Sequence, residues 1–333
     1  MQTFPREAIR THCVGAEWPT FLGAVALGES FWIETEESDP NGPIEVAGVR
    51  AGEAVAVVIE AIEMLPPFYA PNGGPFFEGM GPLVPLAYRD GAFHWPNGFV
   101  LPACPSVGNV AVLPEPTDEV LDVCRALIHG PDKGQPNPRG WRTVVRDPRG
   151  KHCHQDCRAL GVGARIHLGA HVDGVGLCMD DVHGYIGEGE MAFAGIEVRA
   201  RVRARVERSE GWLVDWPLIE TDDEIMVLCS YTSTFSRRPA MRYVDLVREA
   251  YWALREVVAH RIGGTIEEAN SIVATAIDLR NCALYGLGEG YIPPHADVPP
   301  HDMAVAARIP KAIFSESPRG AHIVPSPTKE KAR

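Results

Sequence analysis

Apolar and polar positions alternate with period two over residues 196–206, Ile-Glu-Val-Arg-Ala-Arg-Val-Arg-Ala-Arg-Val. Ile196, Val198, Ala200, Val202, Ala204 and Val206 share one face. Glu197, Arg199, Arg201, Arg203 and Arg205 share the other. Eleven residues of this alternation predict a strand with one charged face. The arginine row is expected to pair with carboxylates on a neighbouring strand rather than to hold a free anion. Val55, Val57, Ile59 and Ala61 predict a second, half-buried strand within 53–63.

Helical spacing appears later and less often. Val120, Cys124, Leu127 and Ile128 predict a helix over 118–129 with Thr117 as N-cap. Val244, Val247, Tyr251, Leu254 and Val258 form one stripe in a helix over 244–260. Ile266, Ala269, Val273, Ala276 and Ile277 form another over 266–280. Thr265 and Glu268 make a capping box at its start, and Gly263-Gly264 separates the two helices. These stripes read as core packing.

Turn signals punctuate the first 115 residues: Asp-Pro-Asn-Gly (39–42), Pro66-Pro67, Asn72-Gly73-Gly74 and Pro96-Asn97-Gly98. Residues 65–82, LPPFYAPNGGPFFEGMGP, read as a long irregular loop with exposed Phe68, Tyr69, Phe76 and Phe77. It either packs over a sheet edge or closes over a pocket. The pattern therefore predicts a β-rich α+β chain. Its parts are a β-rich stretch 1–115, a central region 116–235 and a C-terminal helical stretch 236–333 with a closing strand, expected to form one intimate unit. The tail from about Ser315 is polar.

Composition narrows the function. The chain has 333 residues, 31 Lys+Arg against 44 Asp+Glu and a net charge of −13, which disfavours a nucleic-acid partner. No apolar run reaches the length that spans a bilayer, and the first residues lack a signal-peptide pattern. A cytoplasmic location without membrane attachment is expected. The eight cysteines are scattered, which fits mostly buried thiols rather than disulfides.

Chemistry concentrates in 151–190, which holds His152, His154, His167, His171 and His183 with several carboxylates. An extended 151–156 would put His152, His154 and Asp156 on one face, a workable metal half-site. In 180–190, Asp180, Asp181, Glu188 and Glu190 crowd around His183, with glycines at 184, 187 and 189. A bound cation or a raised carboxyl pKa would relieve their repulsion. No Gly-x-Ser-x-Gly elbow supports a serine route. Cysteine catalysis would have to use Cys153 or Cys178, and Cys178 reads better as a buried thiol.

The second run, Asp181-x-His183 … Gly187-Glu188-Gly189-Glu190 followed by Ile196-Glu197-Val198, resembles the signature of the acetamidase/formamidase family. Cys153-His154-Gln155-Asp156 resembles its upstream motif, with the aspartate matching. Asn41-Gly42-Pro43-Ile44, Pro105–Pro114, Asp278-Leu279-Arg280 and Ile309–Phe314 resemble further landmarks in the same order. The chain departs from the pattern at Cys104, Lys151, His154, Asp180, Gly184 and Glu188.

The resemblance implies a jelly-roll-like β-sandwich joined to a smaller α/β portion, and a homodimer or higher homo-oligomer. It implies an amidohydrolase of small linear amides. We expect a divalent metal, zinc first, with calcium or another divalent ion as alternatives. Asp156 and His183 would hold it, with His154 or Glu190 completing the shell. Asp181, Glu190 and His183 would carry catalysis, and Glu188, Gly187 and Gly108 would contact substrate. The alternatives are a hydrolase of a cyclic amide, imide or lactone, and a non-catalytic member that binds a small molecule.

Overall fold

The computed structural model describes residues 1–8, 18–36, 40–74, 79–118, 120–121, 155–191, 194–209, 214–232, 242–285 and 302–315. The arginine row lies on Arg199–Arg208, antiparallel to Ser30–Thr35 on one side and Ala54–Leu65 on the other. Ala200, Val202, Ala204 and Val206 are fully buried. The arginines meet acids on the flanking strands: Arg201 with Glu63 at 3.1 Å, Arg203 and Arg205 with Glu60 at 3.1 and 3.0 Å. Trp32 lies under Arg201, 4.8 Å from ring centroid to guanidinium carbon. Half-exposed pairs of this kind stabilise little individually. Their main effect is to fix register, while the apolar face supplies the burial.

These strands belong to a nine-stranded sheet ordered Thr3–Phe4, Ser30–Thr35, Arg199–Arg208, Ala54–Leu65, Arg165–Gly169, Leu218–Glu220, Glu224–Thr232, Asp302–Pro310 and Asp278–Tyr285. A five-stranded sheet is built from Ser106–Val112, Val175–Tyr185, Asn41–Ala47 and Gly23–Ala26, with Ile196–Glu197 added against Val175–Tyr185. A four-stranded sheet joins Val100–Pro102, Ala92–His94, Val84–Arg89 and Phe68–Ala70, and Gly73–Gly74 pairs with Gly79–Met80. The architecture is β-rich α+β with several sheets.

One core lies between the nine- and five-stranded sheets, where Phe31, Ile33, Val57 and Ile59 meet Ile44, Val110, Leu177 and Val182. A second core lies under two helices, α1 (Tyr243–Ile262) and α2 (Ile266–Ala276). Glu224–Thr232 serves both. Ile225, Val227, Cys229 and Tyr231 face the helices, and Met226 and Leu228 face the inter-sheet core. Side chains alternate along a strand, so a strand covered on both faces reads as an unbroken apolar run.

Several expectations are corrected. Residues 65–82 do not form an irregular loop: Phe68–Ala70 and the two-residue strands 73–74 and 79–80 lie inside them. Phe68 is buried against Tyr88 and Phe93, Tyr69 is exposed, and Phe76 and Phe77 lie outside the described residues. The strand at 53–63 is half-buried only in its second part: Val55 through Ile59 are buried on both faces, and residues 60–63 are partly or fully exposed. The α1 stripe is rotated toward Leu246, Ala250, Ala253, Leu254, Val257 and Val258, and Val244 is 51% exposed. Small alanines let the helix lie close to the sheet, and a stripe of bulky residues passes over them. The second helix ends at Ala276 because Asp278–Tyr285 is the edge strand of the large sheet.

The caps hold as expected. Thr265 and Glu268 bond reciprocally at 3.2 and 2.8 Å. Thr117 Oγ1 accepts from the Val120 N–H at 3.3 Å, and the rest of 122–129 lies outside the described residues. Among the described residues, no helix is long and apolar enough to cross a membrane.

Candidate active site

The strand Val175–Tyr185 carries Asp181 and His183 through the middle of the five-stranded sheet. Ser106–Val112 flanks it on one side, with Ser106 opposite His183. Ile196–Glu197 flanks it further along, with Glu197 also opposite His183. Every residue from Val175 to Gly184 is buried, so polar side chains here depend on protein partners or on a ligand.

Four acidic side chains gather at this point: Asp156, Asp181 and Glu190, at 2%, 6% and 4% exposure, and Glu197. The His183 ring at their centre is 0% exposed. One oxygen each from Asp156 and Glu190 and one ring nitrogen of His183 lie within 4.8 Å of one another. Asp181, His183 and Glu197 form a second such group through the same imidazole.

Two glycines make room for the ring. A Cβ on Gly108 would stand 2.4 Å from the Asp181 carbonyl oxygen, 2.7 Å from His183 Cε1 and 2.9 Å from Asp156 Oδ1. A Cβ on Gly195 would stand 2.7 Å from His183 Cδ2. All four separations are below contact distance, so only glycine fits either place. Asp156 is pinned from its own backbone: its N–H and that of Gln155 both donate to the Gly108 carbonyl, at 2.9 and 3.0 Å. The Gln155 side chain then mimics a strand, accepting from the Val110 N–H at 2.7 Å and donating to the Val110 carbonyl at 3.0 Å.

Three of the four acids hold positive φ: Asp156 at 42°, Asp181 at 63° and Glu190 at 45°. A non-glycine residue in the left-handed region costs about 1–2 kcal/mol. Glycine would remove that cost at each place, so the carboxylates occupy these positions against the local backbone preference.

The electrostatics follow from burial. His183 Nε2 lies 3.0 Å from Glu197 Oε1 and 3.5 Å from Glu190 Oε1, yet neither ring nitrogen makes a well-aligned hydrogen bond. These are ionic contacts. Burial opposes the charged ring, but Glu197, Glu190 and Asp181 outweigh it and hold the His183 pKa well above the usual imidazole value. Burial, and then the Asp156 charge, push Glu190 well above the usual carboxylate range, against the pull of His183. Burial likewise raises Glu197. Gly195 N–H donates to Glu197 Oε1 at 2.9 Å, while Glu190 Oε2 and Glu197 Oε2 have no hydrogen-bond partner.

This set fits a divalent cation. Imidazole nitrogen and carboxylate oxygen are ligands for zinc and similar dications. Tetrahedral co-ligands at bond lengths of about 2.0–2.2 Å stand about 3.3–3.5 Å from one another. The 3.5 Å separation of His183 Nε2 and Glu190 Oε1 has that spacing and lacks the direction of an N–H bond.

Not every residue singled out by the sequence converges here. Asp180 is buried but turns away, accepting from Asn109 Nδ2 at 2.6 Å. Period two sends it to the face opposite Asp181. Glu188 sits at the rim with Arg158 and Arg280. Gly187 faces open space, and its carbonyl closes the turn by accepting from the Glu190 N–H at 3.1 Å. His167 belongs to the large sheet beside Ser209 and Glu220. His152, Cys153 and His154 lie outside the described residues. Cys178 is buried, and its thiol faces the Gly176 carbonyl.

Sequence reasoning missed Glu197, Gln155 and Gly195. The alternation puts Glu197 on the arginine face, but the strand is interrupted at Val198, where the chain leaves one sheet for the other. Its sign was already an anomaly: one acid heading a row of arginines.

Fold and site define a β-rich protein with a buried carboxylate–imidazole centre suited to hydrolytic chemistry. Residues 103–218, which include Gly108, Asp156, Asp181, His183, Glu190 and Glu197, match the model of the Acetamidase/Formamidase family. Over this stretch the chain is similar to that family, whose enzymes are hydrolases of carbon–nitrogen bonds other than peptide bonds.

Solved structures share the fold along most of the chain. A predicted acetamidase/formamidase from Thermoanaerobacter tengcongensis is 18% identical over 90% of this chain and 93% of its own, with a TM-score of 0.67. An acetamidase from Bacillus halodurans is 17% identical over 90% and 94%, with a TM-score of 0.67. An acetamidase from Yersinia enterocolitica is 17% identical over 94% and 92%, with a TM-score of 0.68. No curated protein matches the chain.

Proposed function

We propose that the protein is a metal-dependent amidohydrolase that cleaves the C–N bond of a small linear amide to a carboxylate and ammonia or an amine. One observation carries the reading. Asp156, His183 and Glu190 converge in a buried site, and both acids hold a backbone conformation that favours glycine. A site kept against that cost is kept for its chemistry.

Asp156, His183 and Glu190 are the residues that would hold the cation, zinc being the first choice for such a donor set. When bound, a dication polarises the amide carbonyl and lowers the pKa of a nearby water. The chain supplies the rest. Asp181 and Glu197 stand beside the same imidazole, Glu197 Oε1 lying 3.0 Å from Nε2, and are the carboxylates left to accept the water's proton. The same groups return a proton to the leaving nitrogen. Gly108 and Gly195 keep the space around the ring free of side chains. Burial excludes bulk water, which strengthens each charge interaction.

Metal analysis of the purified protein, with formamide and acetamide assays of wild type, His183→Ala and Asp156→Ala, tests this. The expected result is about one equivalent of metal in the wild type and its loss, with activity, in both variants. Full activity in both, or an active protein without stoichiometric metal, defeats it.

A further inference from the structure

Glu188 is not part of the buried cluster. It lies at the rim, on the turn that carries Glu190, with its side chain 38% exposed. Its Oε1 accepts from Arg158 Nη2 at 3.1 Å and stands 3.4 Å from Arg280 Nε. Arg158 also donates through Nη1 to the Tyr185 hydroxyl at 3.3 Å, and its guanidinium lies 5.7 Å from the Tyr185 ring centroid.

The sequence positions of these residues are informative. Arg158 follows Asp156 by two, Tyr185 follows His183 by two, and Glu188 precedes Glu190 by two. Each of the three metal-site residues thus has a neighbour, two positions away, in a single rim network. Arg280 brings in a fourth segment, the edge strand Asp278–Tyr285. That strand is tied to the same turn by the Leu284 N–H, which donates to the Gly189 carbonyl at 3.0 Å. It is tied to the Asp156 segment where the buried Cys282 and Cys157 thiols meet.

We propose that Glu188 is a positioning residue: with Arg158, Tyr185 and Arg280 it locks the segments bearing Asp156, His183 and Glu190 at the spacing the cation needs. This deepens the metal-dependent reading above and rests on it. The lock is needed because the turn of Glu190 is flanked by Gly187 and Gly189 and has little stiffness of its own. An isolated exposed ion pair would not suffice. Here one carboxylate oxygen serves two guanidiniums, one of them stacked and the other, Arg280, only 16% exposed at its side chain. The assignment is offered in place of a substrate-binding role for Glu188, whose Oε1 is shared by the two guanidiniums.

The test uses the purified metal-loaded protein. Zinc retention against a chromophoric chelator is measured with kcat and KM on acetamide for wild type, Glu188→Gln, Glu188→Asp, Arg280→Gln and the Glu188→Gln/Arg280→Gln double variant. Glu188→Gln is expected to weaken zinc retention about tenfold or more and to lower kcat with KM within about twofold. The double variant should be little worse than either single one, since both break the same lock. Glu188→Asp should recover most of the loss. A raised KM with retention intact assigns Glu188 to substrate and overturns the proposal. So does a metal-loaded wild type matched by Glu188→Gln in both retention and kcat. A wild type that holds no metal overturns the amidohydrolase reading itself, and the lock falls with it.

Discussion

His183 and Glu197 face each other across two antiparallel strands, with Nε2 3.0 Å from Oε1. Glu197 is the last charged residue before the chain crosses into the large sheet. The crossing at Val198 turns it from the arginine face into the site. One residue later, Arg199 meets Glu36 instead. A change of sheet separates the carboxylate beside His183 from the arginine ladder.

Replacing Glu197 by Gln should separate its charge from its shape. The amide can still accept from the Gly195 N–H, so the strand pairing is kept. What is lost is a carboxylate to take and return a proton. We expect kcat on acetamide to fall by about 100-fold or more. The unfolding temperature should be unchanged or higher, because a buried carboxylate is costly. Wild-type kcat in Glu197→Gln would remove the residue from the mechanism.

Glu190 should likewise set function against stability. Its φ of 45° is strained for glutamate and free for glycine. Burial and Asp156 oppose its ionised form as well. Glu190→Gly is therefore expected to stabilise metal-free protein by about 1 kcal/mol, while abolishing amide hydrolysis. Urea unfolding of both proteins after chelator treatment reads the first effect. A variant less stable than wild type there would mean that Glu190 holds the fold and not only the site.

Gly108→Ala tests the space around the ring. The added methyl would meet the Asp181 carbonyl at 2.4 Å and His183 Cε1 at 2.7 Å. Neither neighbour has room to retreat, since both lie in the middle of a sheet. A loss of about 1–3 kcal/mol is expected from overpacking, with activity falling further than stability because the displaced atoms belong to residues of the proposed site. Unfolding curves and kcat measured on one preparation compare the two. A fully active, fully stable variant would contradict the close packing described.

Much of this was legible in the sequence, for physical reasons that differ by residue. The 199–208 strand announced itself because one face is core and the other is charged, and the capping box because its two bonds are local. Asp181, His183 and Glu190 could be picked out by their density of charge among glycines, and Asp156 by its period-two spacing from His152 and His154. Asp180 could not be told from Asp181, because only the sheet decides which face each residue takes. Glu197 needed the crossover, which is a long-range event. Gln155 and Gly195 act through backbone proximity, and no side-chain pattern announces that. The helix stripe failed at Ala250 and Ala253, where close approach to the sheet favours small residues.

His167, away from the site, should set a pH dependence of stability. It is largely buried, with Nδ1 2.7 Å from Ser209 Oγ and Nε2 3.6 Å from Glu220. Burial lowers its pKa to about 4, with Arg261, Arg165 and Lys311 adding to the effect and Glu220 opposing it. The unfolded chain has the ordinary value of about 6.5. Between those values the unfolded state binds more protons, so stability rises with pH. The contribution is complete above about pH 6.5 and is lost as pH falls toward 4. Its upper limit is roughly 3 kcal/mol. His167→Gln keeps a polar group near Ser209 and cannot titrate. Denaturant unfolding of the two proteins from pH 4 to 7 should show the wild-type advantage growing across that window and level beyond it. Parallel curves would mean that His167 does not titrate differently on folding.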